Sequence, residues 1–536
     1  MTAAPNNLVP DLSLLPAPSA PEAAEAGLQR WIDAAVRGNH EGLGDFAQGA
    51  ADDPTLGALL AAIFGNSPFL GQCLAIEPDF ARTLVEQGYD AALAGVFAEI
   101  EPVALSRASE ETVMTALRRA RRRTALAVGI AEISRAWTVE QVTGALSRFA
   151  DLTIEAAVAH LLRVGHDKGE IALPHSEFPT RDCGLIVLGM GKLGARELNY
   201  SSDIDLILLF DHDRVTYTGK TSVQEFFVRL ARGLIRILEE RTNDGYVFRT
   251  DLRLRPDPNS TPPALSTIAA ETYYESAGQN WERAAMIKAR PVAGDITAGT
   301  AFLEILRPFI WRRSLDFDAI QDIQSIKRQI NAHRGGAEIA IAGHNVKLGR
   351  GGIREIEFFA QTQQLIWGGR DASLRVPATC EALRRLAEAG HIQADAPEQL
   401  GEAYRFLRTV EHRLQMIDDQ QTHDIPDTPE RLDQFAVFMG YADTESFSEA
   451  LSQRLHLVED YYAGLFEDEA DLAGPGTLVF TGADDHPDTL NTLAGMGFHE
   501  TAAISSMIRA WHHGRYRATR SARAREILTE LMPRLL

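Results

Sequence analysis

LIVLGMGKLGARELNYSSDIDLILLFD, Leu185 to Asp211, is the stretch on which the fold turns. Leu185 to Leu188 is an apolar run of strand length. Gly189, Gly191 and Gly194 follow, a spacing that permits a tight turn and close backbone approach. Arg196 to Tyr200 leaves room for one or two helical turns, and Ser201 and Ser202 then lead into a second strand, Asp203 to Phe210. Strand side chains alternate, so Asp203 and Asp205 share a face with Ile207 and Leu209. Ile204, Leu206, Leu208 and Phe210 take the other face. Two carboxylates side by side repel each other unless a cation sits between them. A divalent metal that also holds phosphate oxygens removes that repulsion.

The same residues spell Gly189-x-Gly191-x-x-Gly194, with Asp211 where a ribose-binding acid can fall. A dinucleotide unit needs a full crossover helix between its strands, and Gly194 to Ser202 is too short for one. No G-x-x-x-x-G-K-[ST] occurs. The metal reading leads, and a strand with two solvated acids at its mouth is the plain alternative.

Working outward, Thr221 to Arg241 is helix-like, with Val223, Phe226, Phe227, Leu230, Leu234, Ile237 and Leu238 in one apolar stripe. Asn243-Asp244-Gly245 makes a turn, and Tyr246 to Arg255 then alternates. Tyr246, Phe248, Thr250, Leu252 and Leu254 are expected on the core face and Arg249, Asp251, Arg253 and Arg255 on the other, with Pro256 ending the strand. Paired beside the first strands, this one adds Asp251 as a third carboxylate and arginines suited to bidentate phosphate contacts.

These motifs, with WERAAMIKARPVAGD and GGIREIEFFAQ further on, have the order and spacing of one family. The chain resembles the glutamine-synthetase adenylyltransferase, also called the adenylyl-removing enzyme, within the nucleotidyltransferase superfamily that includes DNA polymerase beta. The resemblance implies an α+β, mostly α-helical fold, with a polymerase-beta-like module between helical domains. It implies Asp203, Asp205 and Asp251 as catalytic metal ligands, holding magnesium, with manganese as the alternative. Gly191, Lys192, Ser202, Arg253, Arg255 and Lys288 would lie at the nucleotide and phosphate. The superfamily's usual Gly-Ser in the turn is Gly191-Lys192 here, which leaves the role of Lys192 open.

Family members usually carry two such modules, the first removing AMP from a tyrosine of glutamine synthetase and the second attaching it. One Asp-x-Asp module is readable here, and Asn199 to Asp205 is worded like the first. The expected reaction is therefore phosphorolysis of the AMP-tyrosine bond, giving ADP. Two alternatives stand beside it: ATP-dependent adenylylation by the same module, and a helical regulatory scaffold with an idle site. Expected partners are glutamine synthetase, the PII nitrogen-signalling protein, phosphate and ADP or ATP.

The formal net charge of −21 argues against general nucleic-acid binding. Cys73, Cys183 and Cys380 are far apart and odd in number, so neither a disulfide framework nor zinc spacing follows, which fits a reducing cytoplasm. No signal peptide or membrane-spanning run is readable.

The organisation expected is a flexible tail over 1–25, a helical domain over 26–175, the catalytic module over 176–299 and a helical bundle over 300–467. Residues 468–536 read as a linker and basic helical segment. The stop at Leu535-Leu536, inside an apolar stretch, suggests a cut or shortened chain with a second half missing. Asn66 to Leu70 reads as a loop and helix start with Pro68 first in the helix. Arg118, Arg119, Arg121, Arg122 and Arg123 form a basic run, read as a solvated helix face or, alternatively, a dock for an acidic surface. Glu355 and Glu357 are expected to pair with Arg350 and Arg354 or, failing that, to reach the metal. His412 and His423 read as structural, since no ligand partner stands at metal spacing. Arg509, Arg515, Arg517, Arg520, Arg523 and Arg525, with Trp511, His512 and His513, suggest an acidic protein partner.

Overall fold

The computed structural model describes residues 8–38, 41–312, 339–464 and 487–512, together with 516, 518 and 524. Helices dominate it. Those before residue 170 run from Pro21–Arg37 to the long pair Glu110–Ile133 and Val139–Asp167. Local chemistry sets their ends. Ser67 caps the helix Pro68–Ile76 through the Leu70 amide, with Pro68 in the first turn as expected. Thr138 and Gln141 close a capping box on Val139–Asp167.

The tail expected over residues 1–25 is packed from Leu8 onward. Leu8 and Val9 are buried, and the Tyr89 hydroxyl donates to the Leu8 carbonyl at 2.9 Å. The first helix begins at Pro21. Sparse periodicity hid this, because a few tertiary contacts hold the segment rather than a continuous apolar stripe.

The sheet lies at the centre. Strands β1 (Ile171–Ala172) and β4 (Thr216–Tyr217) pair apart from the rest. Strands β2 (Leu185–Gly189), β3 (Asp203–Phe210), β5 (Arg249–Asp251), β6 (Ala264–Ser266) and β7 (Arg290–Gly294) form the main sheet. Strand β2 lies antiparallel between β3 and β7. Strand β3 runs parallel to β5 at its beginning and to β6 at its end. An antiparallel β2–β3 pair rules out the dinucleotide reading, which needs parallel strands joined by a crossover.

Alternation divides the sheet as expected. Leu185, Val187, Ile204, Leu206, Leu208 and Phe210 join the core shared with the N-terminal helices and with Val223–Glu239. Ile186, Leu188, Ile207 and Leu209 face a second core with Tyr274 and Phe302. A third core holds together the helices Ile353–Trp367, Ala396–Asp418 and Thr444–Gly464.

Two local expectations are corrected. The helical turn after β2 is Gly191–Gly194 rather than Arg196–Tyr200, because Arg196 takes a left-handed φ of 60° that stops it. The third strand stops at Asp251, and residues 252–255 turn, so the alternation read on to Arg255 lies outside it.

The basic run is neither a solvated face nor a dock for another molecule. Arg118 is buried and donates to the carbonyls of Met114, Ile237, Glu240 and Gly245, at the end of Val223–Glu239. Arg122 and Arg123 each pair with Glu77 at 2.8 Å, and Arg121 reaches Asp419 at 3.1 Å. Of the run, only Arg119 is exposed. Of the C-terminal basic segment, Arg509 and Trp511 lie in the helix Thr501–His512, whereas His513, Arg515, Arg517, Arg520, Arg523 and Arg525 lie outside the described residues. No described helix is long and apolar enough to cross a membrane.

Candidate active site

The register of β3 against β5 builds the site. Asp203 stands opposite Arg249, and Asp205 opposite Asp251. The three acids foreseen from sequence therefore meet at one end of the sheet. Behind them lies the turn after β2. The Met190 amide donates to the Asp205 carbonyl at 2.9 Å, which fixes the turn to the strand. Gly191 has a φ of +52°, and a Cβ there would lie 2.9 Å from Asp205 Oδ2. Only glycine lets the backbone lie against that carboxylate. The first amides of a helical turn have no acceptor within the helix.

Burial drives the Asp205 carboxyl up to about 7, with Asp203 and Asp251 adding repulsion. Lys347 and Arg354 oppose this shift. Such mutual repulsion fits a donor set made for a divalent cation, and hard carboxylate oxygens suit magnesium. Among the described residues, however, no three acids are arranged as a ready metal shell. Arg253 holds Asp251 through its side chain at 2.7 and 2.8 Å, and Gln421 donates to Asp203 Oδ1 at 2.5 Å.

The other expected site residues divide by geometry. Arg253 is exposed beside Asp251. Arg255 is spent on the loop carbonyls of Leu252, Pro258 and Thr261, and so braces the loop. The Ser202 hydroxyl donates to the Asp203 carbonyl at 2.8 Å. Lys192 lies in the turn Gly191–Gly194 and Lys288 just before β7. Both donate to Glu357 Oε1 at 3.1 Å. Lys288 also reaches Glu197 Oε2 at 3.1 Å and Thr379 Oγ1 at 3.2 Å.

Glu357 thus pairs with two lysines rather than with Arg350 or Arg354, while Arg350 pairs with Glu459. Burial alone would raise the Glu357 carboxyl, but Lys192, Lys288 and Arg354 outweigh it and hold it well below its usual range. Lys192 responds differently. Burial, reinforced by Arg408, lowers its amine to about 8 despite Glu357 and Glu411. His412 meets Glu132 at 3.0 Å and His423 meets Glu411 at 2.9 Å, both as structural pairs.

Several residues that sequence reasoning passed over complete the arrangement. The Ser201 amide donates to Gln415 Oε1 at 2.8 Å, and its hydroxyl donates to the Asp419 carbonyl at 3.0 Å. Asp419 also accepts from the Tyr246 hydroxyl at 2.9 Å. Glu239 accepts from the amide and hydroxyl of Thr250 and so anchors β5. Asp419 ends the helix Ala396–Asp418 with a left-handed φ of 52°, a conformation that Asp adopts more readily than most residues.

Comparison with known proteins agrees with this geometry. Residues 57–305 match the family model for glutamate-ammonia ligase adenylyltransferase, and residues 323–466 match that for GlnD PII-uridylyltransferase. The bifunctional glutamine synthetase adenylyltransferase/adenylyl-removing enzyme of Rhizobium meliloti (strain 1021) is 52% identical over 525 residues, covering 97% of this chain and 53% of that protein. The enzymes of the same name from Agrobacterium fabrum and Mesorhizobium japonicum are 52% and 49% identical, with 91% and 100% of this chain and 50% and 55% of theirs covered. The chain spans about half the length of these relatives. With the acid-bearing sheet and its glycine turn on the first matched segment and the helical core on the second, the chain is similar over most of its length to about half the length of the bifunctional glutamine synthetase adenylyltransferase/adenylyl-removing enzymes.

Proposed function

We propose that this chain removes AMP from an adenylylated tyrosine of glutamine synthetase by phosphorolysis. The carrying observation is the parallel β3–β5 register, which sets Asp205 against Asp251 beside the glycine turn. An oxygen of inorganic phosphate attacks the phosphorus of the AMP-tyrosine bond. The bond from phosphorus to the phenolic oxygen breaks, ADP forms, and the tyrosine oxygen takes up a proton. Magnesium held by Asp203, Asp205 and Asp251, with manganese as its substitute, would neutralise charge on the attacking and leaving oxygens. The amides of the Gly191 turn orient the phosphoryl group, and Arg253, freed from Asp251, donates to it. A phenol with a pKa near 10 leaves without a strong general acid, so no histidine is required.

The relatives' names carry both activities, and the resemblance of Asn199 to Asp205 to the first of the family's two modules is what favours this direction. The PII-uridylyltransferase match over residues 323–466 favours PII protein as the regulator and that segment as its reader. The test is incubation of the chain with adenylylated glutamine synthetase, magnesium and phosphate, with and without PII protein. Phosphate-dependent appearance of ADP is the expected result. Silence there, with AMP attached to unmodified synthetase from ATP, would reverse the direction.

A further inference from the structure

Two cations near the acids have no task in the reaction as described. Lys347 is half-buried and Arg354 exposed, and among the described residues neither side chain has an ion-pair or hydrogen-bond partner. The Arg354 amide donates to the Lys347 carbonyl at 3.0 Å, so the two move as one piece. Arg354 lies in the first turn of the helix Ile353–Trp367. Three residues on, Glu357 occupies the same side of that helix. Glu357 grips Lys192, and Lys192 follows the glycine that lies against Asp205. One turn back from Glu357, Arg354 is exposed at the start of the same helix.

The Val346 amide, next to Lys347, donates to the His423 carbonyl at 2.9 Å, which sets Lys347 beside the segment that follows the helix Ala396–Asp418. Gln421 from the same helical core touches Asp203 directly. Two cations near the acid site, without an ion-pair partner among the described residues, leave a gap suited to an anion. A phosphoryl group fits it, bridging between these cations and a metal on the carboxylates.

We propose that Lys347 and Arg354 bind phosphoryl oxygens of the attacking phosphate or of the nucleotide, so that the helical core completes the site begun on the sheet. The inference rests on the phosphoryl-transfer reading but not on its direction. The test uses the full chain with magnesium. Binding of ADP is measured by calorimetry, and phosphate KM by ADP release, for the wild type, Lys347→Gln, Arg354→Gln and Arg354→Lys. Each Gln variant should weaken ADP binding or raise phosphate KM about tenfold, the usual effect of one lost charge-assisted contact, at unchanged melting temperature. Arg354→Lys should recover part of the loss. A change in phosphate KM alone assigns the cations to the attacking phosphate, and a change in ADP binding alone assigns them to the nucleotide. Normal values of both in the Gln variants overturn the proposal, as does a wild type that binds neither ligand. If the wild type binds ADP and the variants weaken it, yet no phosphate-driven release occurs, the deadenylylation reading fails and this one stands.

Discussion

Replacing Glu357 with Gln removes the shared carboxylate of a buried three-member network. Glu357 is 5% exposed and accepts from Lys192 and Lys288, each at 3.1 Å. The cost differs between the two lysines. Lys288 keeps Glu197 and Thr379 and loses one charge-assisted bond, about 1.5 kcal/mol. Lys192 keeps no carboxylate within contact. Burial already lowers its amine to about 8, and loss of Glu357 lowers it further, toward the neutral form. Deprotonation caps the further loss at pH 7 at roughly 1.4 kcal/mol, one pKa unit. The total is about 3 kcal/mol, at the low end for a broken buried pair. At pH 9 the Lys192 share vanishes, because that amine is neutral in both proteins. Urea unfolding followed by tryptophan fluorescence, transition by transition, measures the loss. The double variant Lys192→Met, Glu357→Gln should regain part of it through a coupling of about 1 kcal/mol or more. Strict additivity of the two single changes, or an equal loss at pH 7 and pH 9, would falsify the network account.

Asp203→Ala and Asp205→Ala should each lower turnover by orders of magnitude while melting curves stay near wild type, and full activity in either would dismiss the metal assignment. Gly194→Ala would set a Cβ 1.8 Å from the Lys288 carbonyl oxygen and 2.6 Å from that of Gly189. Backbone cannot yield cheaply there, so a loss of about 3 kcal/mol is expected by urea titration, and a silent substitution would refute the close packing. Glu411 should govern part of the acid limb. Burial raises its carboxyl, but His423, Lys192, Arg408 and Lys347 bring it to about 2. Below the unfolded value near 4.3 the unfolded chain holds a proton that the folded chain rejects. Stability is thus present above about pH 4.3 and lost as pH falls toward 2, by roughly 3 kcal/mol, and Glu411→Gln should flatten that slope in pH-jump unfolding.

The sheet was legible because its signals are local. Ile204, Leu206, Leu208 and Phe210 do face one core while Ile207 and Leu209 face the other, as period-two alternation requires. The apolar stripe on Val223–Glu239 was equally plain, and six of its seven members are buried. Glycine spacing was ambiguous. The same three residues suit a dinucleotide turn and a nucleotidyltransferase turn, and only the strand direction separates them. Arg249 to Arg255 misled because alternation continues in sequence past Asp251 while the chain turns, with Arg255 holding the loop through three carbonyls.

What sequence could not supply is pairing at long range. Arginine in a run reads as a solvated face because nothing local shows the Glu77, Asp419 or helix-end carbonyls that consume it. Glu357 invited pairing with Arg354, three residues away on the same helix, since i to i+3 neighbours do interact. The lysines won because they arrive from the sheet side into a buried space, where a carboxylate left unpaired is costly, whereas Arg354 is exposed at the start of the helix. The consequence is functional. A carboxylate that anchors the glycine turn from the helical core ties the position of Gly191 to the docking of that core. Any ligand that favours the docked arrangement over a displaced one would bias the turn by its difference in affinity for the two. A regulator read by residues 339–464 therefore has a physical route to the acids that needs no contact with them.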